Sequence, residues 1–353
     1  MVALAAVSCT AAVRATAQNS ELPAFTMLDC GVACPRIVKA KPVDSARPSY
    51  PSPDVREFGE AIVRLNYTIG TDGHVKNPIV EEIVGAREFG DASIAAMRDH
   101  MYQPATEDGK PVEQNWHTQF VYRIEDSGHA ARSEVIEDYT QAAHEIRDGQ
   151  DADAIATLQK GRRHPQLTLF EQTLLSYPLA QLEAKAGDFA AALGDIRIAT
   201  LLGGSVIDTS VRADAMRLRI RLEVQSGELA EAYSWLGNLK RMEMLADTDP
   251  DAQLVAGLIA KANGPDPLVA SGNIPSLDRG AFWIHRLARR DIAFAAIQGK
   301  LDKFDLRCDQ HGIESPVSDK AEWTVPRAWT GCTIYVSGDP GTKFQFVELQ
   351  PKA

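Results

Sequence analysis

The residues of this chain whose types and spacing bear on chemistry are a few carboxylate pairs, eight histidines and five cysteines. His144-Glu145 opens like a zinc-hydrolase HExxH motif, in which two histidines one helical turn apart hold the metal. Asp148 stands where the second histidine belongs. Glu81-Glu82 and Glu57 are the carboxylates an acid and base pair would draw on, and beside a sheet they are expected to be solvated charge. There is no GxSxG elbow and no phosphate-cradling glycine loop. No catalytic residue, cofactor or metal is therefore assigned, no small-molecule substrate is evident, and the chain is expected not to be an enzyme.

The cysteines suggest staples. Cys308 and Cys332 lie in strand-like surroundings, "KFDLRC" and "GCTIYVSG", and are expected to pair; closing a loop of that length is worth ~3 kcal/mol in the chain-entropy model. Cys30 and Cys34, in "CGVAC", form a possible local disulfide, but two sulfurs alone do not make a zinc site. An even number of cysteines after the first segment suits an oxidising compartment. That segment carries an apolar run, Val2 to Val13, too short for the ~20 residues a membrane span needs, followed by Ala15-Thr16-Ala17. Residues 1–17 are expected to be a signal peptide. Lipidation at Cys9 and an inner-membrane anchor encoded ahead of Met1 are the alternatives.

Composition sets the limits within which these residues act. With 353 residues there is room for two or three cores, and 44% hydrophobic with 24% charged residues is ordinary globular usage. The net charge of -11, with no basic stripe, opposes phosphate backbones and anionic membranes, so no nucleic-acid partner is expected.

Along the chain, residues 18–46 contain scattered Pro, Ala and Ser and are expected to be a flexible tether. Val63, Leu65, Tyr67 and Ile69 then alternate with Arg64, Asn66 and Thr68, as in a half-buried strand, and Asp72-Gly73 turns it into a second strand, "HVKNPIVEEIV". "EFGDASIAAMRDHMY" has helical spacing, with Phe89, Ala92, Ala96, Met97 and Met101 on one face. Asp108-Gly109 turns the chain into a third long strand. There Trp116, Thr118, Phe120, Tyr122 and Ile124 face the helix, and His117, Gln119, Val121 and Arg123 are expected to face water.

Farther on, Gly149, Gly187 and Gly227 each precede an Ala by five residues, with apolar residues at the next position and three beyond. The glycine permits a close turn and the small Ala lets two helices approach. Residues 131–265 resemble tetratricopeptide repeats, whose usual period is about 34, on longer spacings. Residues 280–353 return to strand texture and are expected to form a small disulfide-stapled β module of four or five strands. The fold class expected is α+β: a three-stranded antiparallel sheet with a helix, then an all-α repeat solenoid, then that module.

"RPSYP", a strand, "DGHV", a second strand, an Ala-rich helix, "QPATEDGKPV" and a final aromatic strand together resemble the C-terminal domain of TonB energy transducers, over Arg47 to Ile124 within a domain placed at 47–128. The resemblance implies a periplasmic protein whose last strand, Trp116 to Ile124, is an open edge near Tyr50 and Pro51. On that edge an extended TonB-box-like segment of an outer-membrane receptor, or of another envelope protein, would add as a strand. A contribution to energy-coupled transport follows as an expectation. The alternative is a periplasmic scaffold in which the helical repeats bind a protein partner and the sheet edge is closed by homodimerisation.

Overall fold

The computed structural model describes residues 37–44, 48–51, 59–124, 130–201, 208–246, 248–275, 282–319 and 321–350. The expected signal peptide, Cys9, Cys30, Cys34 and Glu57 lie outside them. Alternation in the first region produces a three-stranded antiparallel sheet in which β3 (Ala61–Ile69) lies between β4 (Val75–Val84) and β8 (Gln114–Tyr122). Ala61, Val63, Leu65, Tyr67 and Ile69 all turn to one face. There they share a buried cluster with Tyr122, with Phe89 and Met97 of α1 (Glu88–Met97), and with Tyr102 of β5 (Met101–Gln103).

The helix differs from its expected face. Its buried residues are Phe89, Gly90, Ser93 and Met97, while Met101 has left the helix for β5. Ser93 is tolerated in the core because its hydroxyl donates to Phe89 O and accepts from Tyr122 Oη, each at 2.7 Å. The third strand is also interrupted. β7 (Lys110–Val112) pairs back on β6 (Ala105–Glu107) across Asp108-Gly109, both with positive φ as a two-residue hairpin turn requires, and β8 begins afresh at Gln114.

The described part of the 18–46 segment is not a tether. β1 (Ile37–Val38) pairs with β6 and β2 (Lys41–Asp44) with β5, so its backbone groups enter ladders although most of its side chains stay exposed.

The helical region comprises α2 (Ser133–Arg147), α3 (Asp151–Gly161), α4 (Leu169–Ala186), α5 (Phe189–Leu201), α6 (Thr209–Ser226), α7 (Leu229–Arg241) and α8 (Pro250–Ala262), each packed on its neighbours in sequence. Gly149, Gly187 and Gly227 sit in the turns after α2, α4 and α6 with φ of 75°, 83° and 87°, a left-handed conformation that closes a helix end. Five residues on, Ala154, Ala192 and Ala232 are all 0% exposed, and so are Leu158, Ile196 and Leu236. The recurring sequence unit is thus a helix stop followed by the contact face of the next helix. α4 starts with a capping box in which Thr168 Oγ1 accepts from Glu171 N at 3.1 Å and the Glu171 carboxylate accepts from Thr168 N at 2.9 Å.

The β module begins at Leu268, earlier than the expected residue 280, and has more strands than expected. Its described strands are β9 (Leu268–Asn273), β10 (Trp283–Arg286), β11 (Asp291–Gln298), β12 (Leu301–Arg307), β13 (Gly312–Pro316), β14 (Glu322–Thr324), β15 (Thr333–Gly338) and β16 (Lys343–Glu348). They form two four-stranded sheets, ordered β10-β15-β12-β13 and β14-β11-β16-β9. Phe294, Phe304, Ile334, Phe344 and Phe346 fill the shared core, and Cys308 and Cys332, in the same cluster, are joined by a disulfide with an S–S distance of 2.00 Å. Short strands whose alternate residues are apolar need a second sheet to cover them, which is why the module runs longer than its texture suggests.

Two buried cations fasten this module to the helices. Arg289 donates to Lys261 O, Ala262 O and Gly264 O at the end of α8, at 3.2, 2.9 and 3.0 Å, satisfying carbonyls a helix C-terminus leaves unpaired. His285 lies between Glu228 at the start of α7 (2.6 Å) and Glu348 of β16 (3.1 Å). Burial alone would lower its pKa, but the two carboxylates override this and push it up to about 10.

Replacing Ala192 by Leu should overpack the α4–α5 contact and destabilise the chain by ~1–3 kcal/mol in urea unfolding, against a negligible effect for exposed Ala190. A pH series tests the His285 joint. An imidazole whose folded pKa lies above its unfolded 6.5 contributes stability that is fully present below pH 6.5 and is lost as pH rises through 10. Glu183 and Glu223, pushed up by burial to about 8 and about 7, act in the same direction from pH 4.5 upward. Stability should therefore fall steadily from pH 5 to 10, and NMR should find His285 still protonated at pH 8. A His285 ring titrating near 6.5 would show that the joint carries no charge.

Candidate peptide-binding edge

The strand expected to be an open edge is the outermost strand of its sheet: β8 pairs with β3, and among the described residues no strand lies beyond it. The register runs from Ala61 opposite Tyr122 to Ile69 opposite Gln114. Asn115 N donates away from β3, to Asp309 O at 2.8 Å, while Ile124 N turns inward to Glu60 Oε1 at 3.0 Å. The alternation of an antiparallel ladder then sends the backbone groups of His117, Gln119 and Val121 outward with that of Asn115. The side chains of these three are exposed, Val121 at 47%. Trp116 and Phe120 are half-buried against the α1 side, beside buried Tyr122, and Thr118 is half-buried between them in the strand.

At the far end of the strand, Tyr50 meets Tyr122 and Phe89 edge-on, with ring centres 5.6 and 5.5 Å apart. Burial and the nearby Glu60 carboxylate push the Tyr50 hydroxyl up to about 12. Pro51 follows in a half-exposed bend. Glu60, ahead of β3, ties this end to the helices: its second oxygen accepts from Leu169 N at 2.8 Å, where a helix N-terminus favours a carboxylate. Arg123 is exposed and Ile124 half-buried as the strand runs out.

The other face of the sheet is covered over β3 and β4, while along β8 the side chains of His117, Gln119 and Val121 stay exposed. Ile62 and Val84 pack with Leu169 and Leu201 of α4 and α5, and Asn66 is 1% exposed beneath the β module. Arg307, at the end of β12, donates through Nη1 to Asn66 Oδ1 (2.7 Å) and Asn77 O (2.9 Å), and through Nε to Asp305 Oδ2 (2.8 Å). It enters where the β3–β4 ladder breaks register, between Asn66 and Thr68, with Asn77 at φ 47°. A bulge frees a carbonyl, and the guanidinium satisfies it.

Beside it, Tyr335 donates its hydroxyl to Glu81 Oε1 at 2.5 Å. With the proton on Nδ1, His117 donates to Glu81 Oε2 (3.0 Å) and accepts from Asn66 Nδ2 (3.3 Å). Burial pushes the Glu81 carboxyl up. The bond from His117, the Arg64 guanidinium and the bond from Tyr335 outweigh this and hold it below the usual carboxylate range. Glu81 and Glu82, expected as solvated charge, are instead half-buried partners of Arg64.

The β module also reaches the edge itself. Asn115, missed in the sequence, gives its backbone N–H to Asp309 O and its side-chain amide to Cys308 O and to His311 O, the last at 3.0 Å. The edge expected to be free is therefore capped at its first outward position. Arg307 and Tyr335 carried no local signal either, since an Arg or a Tyr in an amphipathic strand reads as a surface residue. Among the described residues no group of three or more His, Cys, Asp or Glu side chains is placed to hold a metal, and no helix is long and apolar enough to cross a membrane.

A three-stranded sheet with one helix, an outermost last strand and a tyrosine against its end is the arrangement the motifs implied. Residues 46–124 match the family described as Gram-negative bacterial TonB protein C-terminal. The TonB-like domain suggests an envelope protein that interacts with other envelope proteins. No curated protein matches the chain.

Replacing Arg307 by Met should leave the buried Asn66 side-chain carbonyl without this donor, break the bond to Asn77 O, and cost ~1–3 kcal/mol. Hydrogen exchange should show the Asn115 amide losing protection as the module lifts from the TonB-like sheet. Retained protection at Asn115 would mean that other contacts hold the two together.

Proposed function

We propose that this chain is a periplasmic recognition protein, not an enzyme, that takes up an extended, TonB-box-like segment of an outer-membrane transporter by strand addition to β8. The observation that carries the reading is the row of outward backbone groups at His117, Gln119 and Val121, on a strand with no neighbour beyond it among the described residues. Each such group gains a hydrogen bond from any extended peptide, while the flanking side chains select among peptides. Binding of this kind could contribute to energy-coupled transport.

The helical region, tetratricopeptide-like in its spacing and helix order, is in this reading a spacer. Ends of individual helices within it hold the rest of the chain: Leu169 N meets Glu60 of the TonB-like domain, Glu228 meets His285, and the α8 carbonyls meet Arg289 of the β module. These contacts weigh against the scaffold alternative in which the helices are the main binding surface.

The test is titration of the full chain by calorimetry with synthetic peptides copying box segments of outer-membrane transporters. Gln119→Pro removes one outward N–H that the β3 ladder does not use, so the fold should persist while affinity falls at least ~10-fold. An unbound chain that sediments as a dimer whatever peptide is added would favour closure of the edge by a second copy.

A further inference from the structure

The first outward position of β8 is occupied by another part of the same chain, and that part is built to stay put. The turn between β12 and β13 is tied to Asn115 by three hydrogen bonds, one from the backbone N–H and two from the side-chain amide. Within the turn, Cys308 is locked by its disulfide to Cys332, and Cys308 N donates to His311 O at 2.7 Å. Asp309 N donates to Thr330 O, and Thr330 Oγ1 donates to Asp309 Oδ2, both at 2.8 Å. Gly331 approaches Asp309 so closely, with φ 62°, that a Cβ there would stand 2.2 Å from Asp309 Oδ1. The His311 ring stacks on Trp329 with centres 5.0 Å apart.

Resting on the strand-addition reading, we propose that the Cys308–His311 turn is a register stop, which admits a peptide strand to β8 only from His117 onward and so fixes its alignment and useful length. The backbone groups at Asn115 are not available to a peptide, because the N–H already has its acceptor and the turn fills the space where the next strand would run. An added strand then has the outward groups of His117, Gln119 and Val121, a span of ~14 Å at the rise of an antiparallel strand. That length accommodates about five extended residues. A one-residue slip would turn every peptide side chain to the opposite face, so a fixed starting point converts a sequence-tolerant edge into a selective one. The occupant is accordingly a short extended segment whose chain bends away from the sheet at His117.

Hydrogen exchange and affinity on the full chain, with synthetic transporter box peptides trimmed to five, seven and nine residues, decide the matter. Expected without peptide is a protected amide at Asn115 and fast exchange at His117, Gln119 and Val121. Expected with peptide is protection at those three, with affinity changing less than twofold between five and nine residues. Asn115→Ala removes both side-chain bonds to the turn. In that variant affinity should rise several-fold with the longer peptides, and Thr330→Val, which loosens Asp309 without touching β8, should act in the same direction.

Affinity that climbs through nine residues in the natural chain overturns the stop and leaves strand addition standing. A plateau unchanged in both variants also overturns it, since the limit then lies elsewhere. If no peptide protects any residue of β8, strand addition itself fails and the stop fails with it.

Discussion

A polar group taken out of water must find its hydrogen bonds inside the fold, and that requirement on the second face of the three-stranded sheet shapes the molecule. Asn66, Glu81 and the bulged carbonyl of Asn77 are met there by Arg307, Tyr335 and His117. Buried Asn66 would lose its charged donor if the β module moved away. The contact therefore joins modules more than two hundred residues apart in sequence.

The same requirement recurs at the other joints. Arg289 closes the end of α8, His285 bridges two carboxylates from different regions, and Glu60 links two strand ends to the start of α4. Hydrophobic burial builds each module around its own cluster of Phe, Leu, Ile or Ala, and two smaller clusters, Ile62, Val84, Leu169 and Leu201, and Leu229, Ala262, Leu268 and Ala288, run from one module into the next. Directional hydrogen bonds to buried charges set the modules against one another, because an unpaired buried charge costs more than any small slide between apolar surfaces can recover.

Function follows from what this arrangement covers and what it leaves exposed. The helices and the β module cover the second face of the TonB-like sheet over β3 and β4, and the β module caps Asn115, the first outward position of the outermost strand. From His117 to Val121 the strand still presents its outward backbone groups. In the proposed strand-addition reading, an edge held by a frame on one side is better defined than a free one, since the frame limits both the direction from which a peptide arrives and how far it can pair.

The sequence by itself determined the local elements. Alternation placed Val63, Leu65, Tyr67 and Ile69 on one face, Asp108-Gly109 made a hairpin turn, and the Gly–Ala spacing located three helix starts, because these patterns depend only on neighbours along the chain. It also singled out the β8 strand and the tyrosine near its end, through motifs that stand in order over residues 46–124. Only the tertiary structure decided that the sheet's polar face is covered, that the 18–46 segment ends in strands, and that Asn115 is capped. The first and last of these depend on groups such as Arg307 and Asp309, whose partners lie about two hundred residues away, and the second on pairing with β5 and β6, so none leaves a periodicity behind. An arginine that will be buried and one that will stay in water look the same until the carbonyls around it are in place.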